Sequence, residues 1–305
     1  MEPFKVHILG CGSAKPTTRH YASSQVVEIR GKLFMIDCGE GTQTQLCRMH
    51  IGYNKIISVF ISHLHGDHCF GLMGMISSFG LQGRTAPLHI YAPKELESLL
   101  NLQLDFFCKD LEYSIVFHAV DTFKEKVIYE DRSLTVSTIP LDHRIPCCGF
   151  LFKEKPTLPH IRRDMINFYN IPLSQINNIK NGQSWISPEG KEISSELLTI
   201  PSDPPRCYAY CSDTCYKPDL VNQLRNVNLL YHEATYADDK EDGARKYYHS
   251  TARQAAMIAK AAGVGQLLIG HYSARYKDDN ILLDEAKSVF SNTLLSNEKM
   301  IVCVK

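Results

Sequence analysis

The stretch Ile56-Ile57-Ser58-Val59-Phe60-Ile61-Ser62-His63-Leu64-His65-Gly66-Asp67-His68 decides how the chain is read. Its first seven residues are mostly apolar and β-branched, the pattern of a buried strand, and the run stops at a histidine cluster. His63 and His65 are two apart, so extended backbone sends both imidazoles to one side. Gly66 permits a tight change of direction that turns Asp67 and His68 toward a neighbouring position. Four potential ligands in six residues exceed what one ion takes from one loop, which points to a pair of ions. Imidazole and carboxylate ligands suit zinc, with manganese or iron as alternatives.

Outward from this stretch, short β-type runs alternate with helical segments. Val6–Leu9, Gln25–Arg30 and Lys32–Ile36 read as strands, as do Leu88–Tyr91, Ser114–Val120, Lys126–Tyr129 and Leu134–Ile139. Helices are expected over Thr42–His50, His68–Phe79, Lys94–Leu102 and Thr251–Ala262. Cys207–Cys211, Val227–Tyr231 and Gln266–Ile269 read as the strands of the second half. His143, Asp213 and His271 each follow closely on the end of a strand. In mixed α/β folds strand ends form a rim where functional side chains converge. Any one of the three alone is more often an incidental polar residue; together with the cluster they become candidate ligands.

Lys plus Arg and Asp plus Glu both number 33, so a basic footprint for a polyanion must be local. Residues 153–182 hold five Lys/Arg against two Asp/Glu, and prolines at 156, 159 and 172 interrupt any long element. This segment reads as an excursion from the core, because ligand-like residues lie on both sides of it. A hairpin is expected around Pro188-Glu189-Gly190. Of the 11 cysteines, Cys207, Cys211 and Cys215 fit no zinc pattern, and most of the set read as small core residues of a reducing compartment. No apolar run reaches the roughly 20 residues of a membrane span, and the N-terminal residues show no secretory pattern. A cytoplasmic location without membrane partners is therefore expected.

The set His63-x-His65-x-Asp67-His68 with His143, Asp213 and His271 resembles the ligand set of the metallo-β-lactamase superfamily. The resemblance implies an α/β fold, an αββα sandwich forming one catalytic domain over residues 1–305. It also implies that His63, His65 and His143 hold a first Zn2+, that Asp67, His68 and His271 hold a second, and that Asp213 bridges them. Further motifs resemble the ribonuclease Z family. They are Leu9-Gly10-Cys11-Gly12-Ser13-Ala14 leading into Pro16-Thr17-Thr18-Arg19, Asp37-Cys38-Gly39-Glu40-Gly41-Thr42-Gln43, His232-Glu233-Ala234-Thr235 and His249-Ser250-Thr251.

That resemblance implies a zinc-dependent endoribonuclease removing the 3′ trailer from precursor tRNA. Attack by metal-activated hydroxide would leave a 3′-hydroxyl. Asp67 is expected to take the water's proton, and His249, oriented by Glu233, to protonate the departing alkoxide. Ser250 is the expected helix cap beside it. Thr17 and Arg19 lie in the loop that approaches the RNA 3′ end in that family. Residues 153–182 stand where the family inserts a flexible tRNA-gripping arm, with Lys153, Lys155, Arg162, Arg163 and Lys180 as candidate phosphate contacts. A homodimer follows from the resemblance alone. Two departures stand out: Ile171-Pro172-Leu173-Ser174-Gln175 replaces the usual Gly/Pro-rich arm tip, and His20 stands where asparagine is more frequent. A small-molecule phosphodiesterase or arylsulfatase-like hydrolase is the enzymatic rival, and a non-catalytic RNA-binding protein is the rival from another class.

Overall fold

The computed structural model describes residues 2–305. They divide into two compact units, one of Glu2–Lys153 with Arg206–Lys305, the other of Glu154–Pro205.

The larger unit contains two seven-stranded sheets. The first runs, in spatial order, Ile301–Cys303, Phe4–Gly10, Ser24–Ile29, Lys32–Ile36, Ile56–Phe60, Leu88–Ala92 and Ile115–Ala119. The second runs Thr293–Leu295, Gln266–Gly270, Leu229–Glu233, Cys207–Cys211, Cys148–Glu154, Leu134–Pro140 and Val127–Glu130. Their inner faces meet in one apolar layer, where Phe60 contacts Phe150 and Phe152 at ring-centroid distances of 5.4 and 5.5 Å. Helices Thr42–Arg48, Leu72–Leu81 and Glu95–Phe107 contribute Leu46, Met75, Phe79 and Leu96 to a second core with residues of the first sheet. Ala255, Ala256 and Ile258 of helix Ala252–Ala262, with Leu282 of helix Asn280–Val289, extend the first core.

Strand direction matters most for the site. Lys32–Ile36, Ile56–Phe60 and Leu88–Ala92 are parallel neighbours, with Ile36 opposite Phe60. Cys207–Cys211, Leu229–Glu233 and Gln266–Gly270 are also parallel, with Cys211 opposite His232 and Glu233 opposite Gly270. Parallel pairing with aligned registers places the residues that follow each strand on a common rim.

Several sequence expectations shift. Ile56–Phe60 stops two residues short of Ser62, because the Ser62 N–H donates to Asp37 Oδ1 at 2.7 Å instead of continuing a ladder. The helix expected over His68–Phe79 is split into Gly66–Cys69 and Leu72–Leu81. Strand Cys148–Glu154 escaped notice, since Gly149 and the Lys153-Glu154 pair disguise it. Gly149 is needed there: a Cβ would meet the Tyr210 carbonyl oxygen at 2.1 Å. Helix Ala252–Ala262 is capped by Thr251 rather than Ser250. Thr251 and Gln254 form a reciprocal capping box, while the Ser250 hydroxyl donates to the Thr214 carbonyl.

The smaller unit has its own core of Ile166, Ile171, Ile179, Trp185, Ile193 and Leu198. Around it lie helices Arg163–Phe168, Ile176–Lys180 and Ser195–Leu198 and the hairpin Trp185–Ile186 with Glu192–Ile193. The excursion read over 153–182 thus runs on to Pro205, because Trp185, Ile193 and Leu198 complete the apolar cluster.

Candidate metal centre and active site

The ends of the parallel strands carry six of the seven expected ligands, and the loop after Leu134–Pro140 adds His143; together they form two adjoining groups. In the first, His63, His65, His143 and Asp213 converge. His65 Nδ1 lies 3.1 Å from His63 Nε2 and 3.2 Å from His143 Nε2, and Asp213 Oδ2 lies 3.6 and 3.7 Å from those two Nε2 atoms. In the second, Asp67, His68 and His271 converge. Asp67 Oδ2 lies 3.5 Å from His68 Nε2 and 3.3 Å from His271 Nε2. Asp213 Oδ1 faces the same nitrogens at 3.5 and 3.2 Å, so this one carboxylate turns an oxygen to each group.

These separations test the fit of a metal. Ligands about 2.0–2.1 Å from a tetrahedral ion stand about 3.3 Å apart, as the atoms here do. His68 Nε2 and Asp213 Oδ1 are buried and make no hydrogen bond, although burial normally demands one. Burial and the neighbouring histidines hold the His63 imidazole well below its ordinary pKa, so it is neutral and its ring nitrogen is free to ligate. His68 is opposed by burial but surrounded by Asp67, Asp213 and Asp37, which raise it. The carboxylates therefore call for positive charge at the point where a cation would sit. The residues fit a divalent metal.

Outer contacts fix the ring orientations. His68 Nδ1 bonds Asp37 Oδ2 at 2.7 Å, His143 Nδ1 bonds the Tyr248 carbonyl at 2.9 Å, and His271 Nδ1 bonds Thr235 Oγ1 at 2.8 Å. Each leaves Nε2 for the group it joins. Asp37 is fully buried and also accepts from the Tyr210 hydroxyl at 2.7 Å and the Ser62 hydroxyl at 2.9 Å. Asp37, Tyr248 and His271 all adopt left-handed backbone, with φ of 55°, 60° and 63°. Such conformations cost about 1–3 kcal/mol and cluster at functional sites. Gly66, by contrast, opens a helical turn without positive φ; a Cβ there would meet the Phe70 ring at 2.3 Å.

Beside the two groups, His249 Nδ1 lies 2.9 Å from Glu233 Oε1. Glu233 is fully buried and also accepts the N–H groups of Thr214, Ser250 and Thr235 and the Thr235 hydroxyl. Burial works against its charge, but His249 and these donors hold it down at about 2. Burial likewise lowers His249, yet the Glu233 carboxylate outweighs it and pushes the imidazole up to about 9.

His65, Asp67, Asp213, His249 and His271 line a cavity of about 950 Å³. Its other walls include the loop from Ser13 to Ala22, and Lys15, Arg144 and Arg275 supply local positive charge to an otherwise neutral chain. Thr17 lines the cavity. Arg19 does not; its guanidinium pairs with Asp279 at 3.0 Å and donates to the carbonyls of Lys277 and Tyr276. Lys153 sits in the strand Cys148–Glu154, while Lys155, Arg162, Arg163 and Lys180 belong to the smaller unit. Arg162 there pairs with Asp164 at 3.0 Å.

Sequence reasoning assigned no role to Asp37, Thr235 or the Tyr248 carbonyl. Asp37 and Thr235 lay inside quoted motifs, which was the available signal; a backbone carbonyl leaves none.

Two packed sheets flanked by helices, with two His/Asp groups on a shared rim, define a protein of the metallo-β-lactamase fold. Known structures agree. The short form of human tRNase Z is 25% identical with a TM-score of 0.72, covering 99% of both chains. The metallo-β-lactamase fold protein YhfI from Bacillus subtilis is 18% identical with a TM-score of 0.69, covering 99% of this chain and all of its own. A family described as "Anti-Pycsar protein Apyc1" matches residues 4–160, a span that contains His63–His68 and His143 but stops before Asp213, Glu233, His249 and His271. Ribonuclease Z of Bacteroides fragilis is 60% identical over 302 residues, 99% of each chain, and that of Phocaeicola vulgatus is 58% identical over 305, 100% of this chain and 99% of its own. The chain belongs to the ribonuclease Z family.

Proposed function

We propose that the chain is a metal-dependent endoribonuclease that removes the 3′ trailer from precursor tRNA and leaves a 3′-hydroxyl. The observation that carries this is the Glu233–His249 pair, whose His249 shares one cavity with ligands of both groups. A departing ribose 3′-alkoxide needs a proton or a positive neighbour, and His249 stands where it can supply the proton.

Two Zn2+ per chain are part of the proposal, the first held by His63, His65 and His143, the second by Asp67, His68 and His271, with Asp213 shared. When bound, a metal pair lowers the pKa of water toward about 7 and screens the charge of a phosphodiester. The protein does the rest. Asp67, at the cavity wall, takes the proton released from the attacking water. His249, kept protonated by Glu233, delivers a proton from Nε2 to the leaving oxygen. Thr17 and the loop around it contact the RNA near the cut, and the cations of the smaller unit hold phosphates of the tRNA body. The homodimer and the cytoplasmic location belong to the same reading; no described helix is long and apolar enough to cross a membrane.

The test uses a precursor tRNA with a 3′ trailer beside bis-p-nitrophenyl phosphate. Cleavage at the trailer junction supports the reading. Hydrolysis of the small diester with the tRNA left intact replaces it with a small-molecule phosphodiesterase.

A further inference from the structure

The loop that carries His143 has a second cavity on it, of about 510 Å³, walled by Phe123, Pro140, His143, Arg144 and Lys217. Arg144 lines both this cavity and the active-site cavity. Three separate segments form its walls, and two are pinned. The Phe123 N–H is held by Asp121 Oδ1 at 3.0 Å, and the Lys124 carbonyl by the Thr138 hydroxyl at 2.6 Å. Lys217 Nζ donates to the Pro140 carbonyl at 2.9 Å. Phe123 is nonetheless 73% exposed, an aromatic ring open to water at the edge of a cavity. Asp142 also lines this space and Lys217 pairs with Asp219 at 3.5 Å, so its charge is mixed.

We infer that this cavity is a binding subsite for single-stranded RNA, and that it receives the 3′ trailer beyond the scissile phosphate. Each feature matches that ligand. Arg144, next in sequence to the expected ligand His143 and shared by both cavities, carries a guanidinium that suits a backbone phosphate. Phe123 offers a face for a base to stack on, which is tolerant of sequence because every base has one. Trailers vary in sequence, so stacking plus charge is the recognition they need. The inference rests on the endoribonuclease reading and deepens it.

The experiment compares kcat/KM for two precursor tRNAs, one with a one-nucleotide trailer and one with a trailer of about ten nucleotides. In Phe123→Ala the ratio of long to short falls by about fivefold or more, through KM, and Phe123→Tyr restores it. A ratio that does not move, or an equal loss on both precursors, overturns the subsite. A wild-type protein inactive on both precursors removes the endoribonuclease reading and the subsite with it, so the two failures are told apart.

Discussion

Asp37 and His68 are both fully buried and joined by a hydrogen bond of 2.7 Å, although 31 residues separate them. The bond commits His68 Nδ1 and leaves Nε2 aimed at Asp67 and Asp213. Replacing Asp37 by Ala is expected to weaken the second metal position by about 10–100-fold. Chelator competition followed by metal analysis measures this, and unchanged affinity would show that the Asp37 contact does not orient the ligand.

The Glu233–His249 pair gives a pH prediction with a definite sign. His249 works as an acid in its protonated form, which the Glu233 carboxylate favours, so activity falls as pH rises through the pKa of His249. Bound cations offset the help of Asp67 and Asp213 but leave the Glu233 contact in place. In Glu233→Gln burial acts without the counter-charge, and the basic limb of kcat moves down by about one pH unit or more. His249→Ala lowers kcat by about 10²–10⁴ while bound metal stays the same. A loss of metal instead would make His249 a ligand, since it stands within reach of Asp213 and His271.

His20 bonds Glu298 at 3.1 Å through Nδ1 and Asp279 at 2.9 Å through Nε2, fastening the cavity loop to the C-terminal segments. Burial lowers its pKa, but Asp279, Cys11 and Glu298 more than offset it and raise His20 to about 12. A folded pKa above the unfolded one stabilises fully below about 6.5, and the contribution is lost as pH rises toward about 12. The Tm difference between wild type and His20→Gln is therefore larger at pH 6 than at pH 9. Equal differences at both would show that the charge on His20 does not hold the loop.

The small core of residues 154–205 predicts separable damage. Ile179 is 1% exposed within it, and Ile179→Ala removes about 2–5 kcal/mol of local packing. Limited proteolysis is expected to cut that unit first, with turnover of precursor tRNA reduced and hydrolysis of bis-p-nitrophenyl phosphate retained. Loss of both activities together would mean that the unit also supports the metal centre.

Much of the centre was legible because its signals are local. His63, His65, Asp67 and His68 share one loop after one apolar strand, and His143, Asp213 and His271 each follow a strand end. What stayed hidden depends on distance. Nothing near Asp37 announces His68, and the Thr235 hydroxyl that meets His271 Nδ1 lies 36 residues away from it. The strand Cys148–Glu154 was missed because its glycine and charges answer to a neighbouring strand rather than to local propensity. Helix Asn280–Val289, which the sequence reading did not anticipate, bears Leu282 and Ala286 as its fully buried apolar contacts.

The most direct measurement maps the product end. A precursor tRNA with a 3′ trailer is incubated with wild type, with wild type plus chelator, and with His65→Ala. The account predicts a single cut at the trailer junction leaving a 3′-hydroxyl, abolished by the chelator and by the variant. Cuts scattered through single-stranded RNA regardless of the tRNA body, or a cut that survives in His65→Ala, would contradict it.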